Sequence, residues 1–249
     1  MKNYIFDLYG TLINIHTDEE KAELWEKMAE YYNDFGTHYT KDSLKWRYHE
    51  MCKEEADRLG GDYPEIRLDR VFLRLLKEGG GQSDMDDYEW CLIVARYFRA
   101  MSRDQLIVYP GAIELLKELK RREKRIYLLS NAQTCFTLDE MLKCKLSSYF
   151  QAIYISSDYG IKKPDPNFMK MLLENERIKV SESVMVGNDL TTDIKVAVDV
   201  KMKSLFINSY DHSKEVLQKE AECLGDYHDY ETFNSVEEVY ESIKKNVDQ

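Results

Sequence analysis

From residue 108 to residue 245, short apolar runs alternate with amphipathic segments of about ten residues. Arg125 to Ser130 (RIYLLS), Tyr149 to Ser156, Val184 to Gly187 and Ser204 to Asn208 read as buried strands. Ala112 to Arg122, Phe136 to Lys143, Asn167 to Asn175, Asp193 to Val200 and Ser235 to Lys245 read as helices. Such alternation predicts an α/β fold, a Rossmann-like parallel sheet with helices on both faces. One further strand, Tyr4 to Leu8 (YIFDL), stands alone before a break at Gly10. Between it and the rest, residues 19–33, 41–59, 64–78 and 85–103 carry apolar residues three and four apart, the mark of helices. The chain is therefore expected to have an α/β core, residues 1–14 and 107–249, and an inserted all-helical domain, residues 15–106. Ligands of parallel sheets bind beyond the carboxyl ends of the strands, so the insertion is placed as a lid over the first strand.

Charge and composition narrow the function classes. The chain has 46 acidic against 35 basic side chains, a formal charge of −11. An acidic surface offers no basic footprint for nucleic acid. No apolar stretch approaches the ~20 residues of a membrane helix, and Met1-Lys2-Asn3 leads straight into the first strand, unlike a signal peptide. Five scattered cysteines without a C-x-x-C pair fit free thiols of a reducing cytoplasm.

Polar residues cluster just after four of the strands: Asp7, Tyr9 and Thr11; Ser130 and Asn131; Lys163; and Asn188, Asp189 and Asp193. Taken singly, each is an ordinary turn, helix cap or surface lysine. Together they resemble the four motifs of the haloacid dehalogenase superfamily: Asp7-Leu8-Tyr9-Gly10-Thr11-Leu12, Ser130-Asn131, Lys163 in GIKKPDP, and Gly187-Asn188-Asp189 with Asp193. Their order and spacing, and the helical insertion after the first motif, match as well. The resemblance covers nearly the whole chain and implies a hydrolase with a covalent aspartyl intermediate.

Under that resemblance Asp7 is the nucleophile, able to attack phosphorus or carbon to form an ester that water then cleaves. Ser130 and Asn131 donate hydrogen bonds to an anionic group of the substrate, and Thr11 holds the turn or contacts that anion. Lys163 orients Asp7 and offsets negative charge; the family pattern favours it over Lys162 because it directly precedes Pro164. Asp7, the Tyr9 carbonyl, Asn188, Asp189 and Asp193 are the expected ligands of a Mg²⁺ ion.

Two departures bear on the reaction. Family phosphatases usually carry a second aspartate where this chain has Tyr9, a poor base at neutral pH. Loss of that proton transfer costs about 10²–10⁴-fold with a poor leaving group. A D-x-Y-G-T motif is instead similar to that of metal-independent 2-haloacid dehalogenases, in which a cap arginine grips the halide; Arg47 is the nearest candidate. The other departure points to metal chemistry, since Asp189 and Asp193 persist beside Asn188, and paired carboxylates next to Asp7 call for a cation. The expectation is a Mg²⁺-dependent phosphatase of a small phosphorylated metabolite, with a dehalogenase or a catalytically weakened binding member as alternatives. Trp25, Tyr31, Tyr32 and Phe35 are expected in the core of the helical insertion, and His16 is read as structural. Residues 15–106 hold 21 acidic and 14 basic side chains, −7 of the total −11. An acidic lid disfavours polyanions, so the expected partner is a small monoanionic or monophosphorylated molecule. A monomer or homodimer is expected.

Overall fold

The computed structural model describes residues 1–225 and 229–245; of the expected core, 226–228 and 246–249 lie outside them. Six strands form one parallel sheet: β1 (Asn3–Phe6), β4 (Arg125–Ser130), β5 (Ala152–Ile155), β6 (Ser183–Gly187), β7 (Lys203–Ile207) and β8 (Tyr230–Phe233), in the order β5-β4-β1-β6-β7-β8. All four residues of β1 are buried, as a strand paired on both edges and covered on both faces requires. Its side chains alternate between two apolar layers. Tyr4 and Phe6 pack with Leu115, Leu116 and Leu119 of α5 (Ala112–Arg121) and Val239 and Ile243 of α11 (Val236–Lys245). Ile5 packs with Phe168, Met169 and Leu172 of α8 (Pro166–Asn175) and Val196 of α9 (Lys195–Asp199). Phe6 is fully buried, and such a side chain contributes about 1.5–3 kcal/mol.

The helical insertion holds α1 (Ala22–Asp34), α2 (Lys41–Leu59), α3 (Leu68–Glu78) and α4 (Asp87–Ser102). Capping explains two of the starts: Thr40 and Ser43 form a reciprocal capping box before α2, and Asp86 accepts from the backbone of Tyr88 and Glu89 before α4. The four helices share an apolar core in which Trp25, Tyr32, Tyr48, Phe72, Trp90 and Phe98 are buried, with Tyr31 and Phe35 at its margin. The aromatic residues thus fill the interior of the bundle.

Some elements differ from the sequence expectation. Residues on both sides of the helices form an antiparallel ribbon, β2 (Ile13–Thr17) with β3 (Arg103–Val108), so the expected boundaries at 15 and 106 fall inside paired strands. Ile15, Leu106 and Val108 turn toward the sheet's core, whereas His16 stays exposed and meets Asp104 at 3.2 Å. The expected strand Tyr149 to Ser156 is shortened to β5, because Ser147–Tyr149 forms a 3-10 turn and Ser156 opens α7 (Ser156–Tyr159). Beyond β7 lie α10 (Lys214–Ala221), with no buried residue, and β8, an edge strand. Neither carries the apolar pattern by which buried elements are recognised.

The helical block sits against segments that follow the carboxyl ends of β4 and β5. Pro64 bridges to Ile161, the Glu65 N–H donates to the Gly160 carbonyl, and the Lys162 N–H donates to the Tyr63 carbonyl. Phe136, at the start of α6 (Thr134–Lys143), inserts into the aromatic core of the bundle.

Candidate active site

Asp7 follows β1, and its N–H donates to the Val186 carbonyl at 2.9 Å, which fixes it at the centre of the sheet's carboxyl edge. Lys163 meets it from the loop before α8. Its ammonium donates to Asp7 Oδ1 at 2.6 Å, to Asp193 Oδ1 at 2.6 Å and to the Leu129 carbonyl at 2.7 Å. All three donors are thereby used. Lys163, Asp193 and Asp7 are 2%, 1% and 7% exposed, so the triad is buried. Burial alone would push the ammonium down; Asp193 and Asp7 outweigh it and raise its pKa, so the lysine stays charged. Two carboxylates share one cation. Burial first, and then the Asp7 charge, hold Asp193 above the usual carboxylate range against the pull of Lys163.

The other expected site residues divide by what their side chains do. Asn131 is tied to Lys163: its Nδ2 donates to the Lys163 carbonyl at 2.9 Å and its Oδ1 accepts from the Lys163 N–H at 2.8 Å. With both polar atoms spent on the backbone of that loop, the side chain anchors Lys163. Ser130 is 1% exposed, and its hydroxyl has no hydrogen-bond partner among the described residues. Thr11 donates to Asn188 Oδ1 at 3.1 Å. Gly10 makes that approach possible, since at φ +80° a Cβ there would stand 2.4 Å from Asn188 Nδ2. Asp189 accepts through Oδ1 from the Thr191 and Thr192 N–H groups and so caps a π-helical turn, Leu190–Ile194. Asp193 Oδ2 accepts from the Asn188 and Asp189 N–H groups at 3.0 and 3.2 Å. Both oxygens of Asp193 are therefore taken, one by Lys163 and one by the backbone.

Tyr9 points sideways. Its phenol donates to Glu140 Oε2 on α6 and lies 3.1 Å from Thr137 Oγ1. Burial, followed by the Glu140 charge, raises its pKa far above the ordinary tyrosine value, so it stays protonated. Arg47 is not brought to Asp7. It pairs with Glu54 at 2.7 Å and Glu78 at 2.5 Å within the helical block.

Several residues near the site escape a linear reading. Glu65, from the helical block, accepts from Ser156 Oγ and Gln133 Nε2, both at 2.9 Å, and burial raises its pKa. Gln133 Oε1 accepts from the Leu68 N–H. Tyr210 is half exposed; burial first, then Tyr109, Asp7 and Asp189, raise its phenol, while its neighbour Ser209 donates to the Gly10 carbonyl at 2.5 Å. Glu140 is the one residue with a usable signal: with Phe136, Thr137 and Met141 it occupies the buried face of α6, where an acid is out of place.

Among the described residues no group of three or more His, Cys, Asp or Glu side chains is arranged to hold a metal. The oxygen donors at the strand ends are Asp7, Asp189, the Asn188 amide and the Tyr9 carbonyl. Mg²⁺ is commonly held by one or two carboxylates, with water and substrate phosphate completing its shell. An oxygen-only donor set of this kind fits such a cation. A cavity of about 360 Å³, lined by Tyr4, Arg122, Lys124, Lys203 and Ser204 among others, opens at the opposite, amino edge of the sheet and has no part in this site.

Comparison with known proteins identifies the family and the fold. Residues 1–200 match the family model of haloacid dehalogenase-like hydrolases. The phosphoserine phosphatase of Thermus thermophilus is 27% identical over 171 residues, 69% of this chain and 65% of that protein. The glyceraldehyde 3-phosphate phosphatase of Pyrococcus furiosus is 31% identical over 97 residues, 39% of this chain and 40% of that protein. The chain thus matches less than two thirds of the length of either relative. Among solved structures, a 2-haloacid dehalogenase from Pseudomonas syringae pv. tomato superposes with a TM-score of 0.65 at 19% identity, covering 98% of this chain and 99% of that one. A HAD phosphatase from Thermococcus onnurineus superposes at 0.60 with 20% identity, covering 98% of each. At such identities the superpositions speak for the fold alone.

Proposed function

The chain belongs to the haloacid dehalogenase-like hydrolases, and on that premise we propose that it is a Mg²⁺-dependent phosphatase of a small phosphorylated metabolite, with Asp7 as the covalent nucleophile. The observation that carries the covalent reading is the Lys163 ammonium held at 2.6 Å from both Asp7 and Asp193 in a buried site. The bond to Asp7 fixes the direction of the carboxylate and leaves its second oxygen to attack.

In the first half-reaction an Asp7 oxygen attacks phosphorus while the bond to the leaving oxygen breaks, giving an aspartyl phosphate and the leaving group as its anion, a carboxylate or phenolate, which needs no proton from the enzyme. Water then attacks that phosphorus, releasing inorganic phosphate and restoring Asp7. The unpartnered Ser130 hydroxyl is the donor for a phosphoryl oxygen. Lys163 offsets charge that grows in the transition state, and Asn131 and Asp193 keep it in place. A bound Mg²⁺ would neutralise phosphate charge beside the nucleophile, with Asp7, the Tyr9 carbonyl, Asn188 and Asp189 as its ligands. Asp193 is assigned to Lys163 in place of the metal. Since Tyr9 stays protonated and is bound to Glu140, no base stands at the usual position. The enzyme should favour phosphates with good leaving groups, acyl and aryl phosphates above all.

Helices α1–α4 serve as the lid, with Glu65 and Gln133 as its seat on the core. Their acidity favours a small monophosphate over a polyphosphate. Five free cysteines suit a reducing compartment such as the cytoplasm. No helix among the described residues is long and apolar enough to cross a membrane.

A second reading, a metal-independent 2-haloacid dehalogenase, draws on Tyr9 and Asn188, two positions where a phosphatase would carry acids. The pairing of Arg47 with Glu54 and Glu78 weighs against it, because it leaves that halide-gripping candidate occupied elsewhere. Panels of phosphate esters and acyl phosphates, each with Mg²⁺ and with EDTA, decide between them. Phosphate release abolished by EDTA supports the phosphatase. Halide release from 2-chloropropionate insensitive to EDTA would replace it, and failure of beryllium fluoride to bind would favour a non-catalytic member.

A further inference from the structure

We infer that Glu140 is a positioning residue that locks the helical block to the loop carrying Tyr9; its catalytic consequence rests on the reading of Asp7 as nucleophile. Glu140 is 1% exposed, and three groups from three other places in the chain converge on its carboxylate, with Thr137 of its own helix beside them. Arg99 of α4 donates to Oε1 at 2.9 Å, and Arg103, the first residue of β3, donates to the same oxygen at 2.7 Å. The Tyr9 phenol donates to Oε2, and Thr137, one helical turn before Glu140, lies beside that phenol. Arg99 also stacks on Phe136, its Cζ 4.7 Å from the ring centroid.

The connectivity gives this cluster its meaning. Tyr9 stands two residues after Asp7, Arg99 belongs to the helical block, Arg103 to the ribbon that returns to the sheet, and Glu140 to the core. One buried carboxylate therefore ties the seat of the block to the main chain beside the nucleophile. If α4 lifts away, Arg99 must leave Glu140, and the charge that polarises the Tyr9 hydrogen bond is rebalanced at once. Tyr9, at the position of the usual acid, becomes the reporter of whether the block is seated. A carboxylate already held by two guanidinium groups accepts the phenol without taking its proton, so the lock needs no proton transfer.

The test is a double-mutant cycle of Tyr9→Phe and Glu140→Gln, with Arg99→Lys as a third probe, using p-nitrophenyl phosphate. Each single change should lower kcat about tenfold with KM within about twofold, and the double variant should be no slower than the worse single. Tyr9→Phe removes one hydroxyl and should leave the thermal midpoint close to wild type, which carries the test should Glu140→Gln fail to fold. Hydrogen exchange supplies a readout free of turnover: amides of 13–17 and 103–108 should exchange about tenfold faster in the variants while β6 and β7 keep their protection. Additive losses, or a Tyr9→Phe variant with wild-type kcat and exchange, would overturn the lock. Faster ribbon exchange in a chain that cleaves no phosphate ester would sink the phosphatase reading and leave the lock standing.

Discussion

Asn131 and Lys163 hold each other by two hydrogen bonds, amide to carbonyl at 2.9 Å and N–H to amide oxygen at 2.8 Å. The end of β4 is thereby spliced to the loop whose ammonium reaches Asp7. Asn131→Ala removes both bonds at a half-buried site, each worth about 0.5–1.5 kcal/mol. Its expected signature is a loss of about 1–3 kcal/mol in urea unfolding together with a drop in turnover. Unchanged stability with a raised KM would return Asn131 to the substrate.

Lys163→Met should be far more damaging. It leaves Asp7 and Asp193 facing each other, buried, with no counter-charge, and breaking a buried pair in this way costs about 3–5 kcal/mol. Activity should vanish at every pH. The stability lost at pH 7 should return in part on acidification, since Asp193 already sits above the usual carboxylate range and protonates readily. Chemical denaturation from pH 4 to pH 8 reads both limbs.

Arg47→Ala separates the two enzymatic readings. Its two ion pairs lie at the partly exposed surface of the helical block, where each contributes about 0.2–1 kcal/mol. Turnover within twofold of wild type and a small fall in the unfolding midpoint are expected. A loss of halide release beyond tenfold would place Arg47 at the reacting centre.

Glu65 carries a pH signature. Burial holds its carboxyl above the ordinary value of 4.5, against the bond from Ser156. Its contribution to stability is therefore complete below about pH 4.5 and fades as pH rises through the elevated folded value. Relative to wild type, Glu65→Gln should gain stability from pH 4.5 upward, as the difference in urea midpoints measures. A difference that stays flat across that range would contradict the shift.

The thiols give an independent check on burial. Burial pushes Cys91 up to about 11 and Cys52 and Cys135 up to about 12, so all three should resist a thiol reagent at pH 8. Cys223 is exposed and should account for the fast phase with DTNB, which Cys223→Ser removes.

How much of this could be read in the sequence follows from how local each signal is. β1, β4 and β6 are short apolar runs with no rival reading, and the polar residues at their ends announce themselves by position. Partnerships across the chain do not. That Asp193 spends its oxygens on Lys163 and on the backbone after Gly187 depends on a closeness in which a Cβ on Gly187 would lie 2.3 Å from Asp193 Oδ2. Asp189, an equally good carboxylate on paper, turns to cap its own helical turn. Glu140 sits 131 residues from Tyr9, and no periodicity joins them. The ribbon was hidden because its strands are short and one adjoins the end of α4.

That ribbon has a mechanical consequence. Both covalent routes between the helices and the sheet, residues 13–17 and 103–108, pair with each other, with one irregularity between His16 and Thr17. Two separate tethers would let the bundle swivel and tumble; a paired ribbon is soft to bending across its plane and stiff to shear within it. An excursion of the bundle would therefore bend the ribbon as one unit and open the bridge between Pro64 and Ile161. Such a ribbon would serve as a hinge, built from short strands of which Arg103 alone reaches the Glu140 cluster.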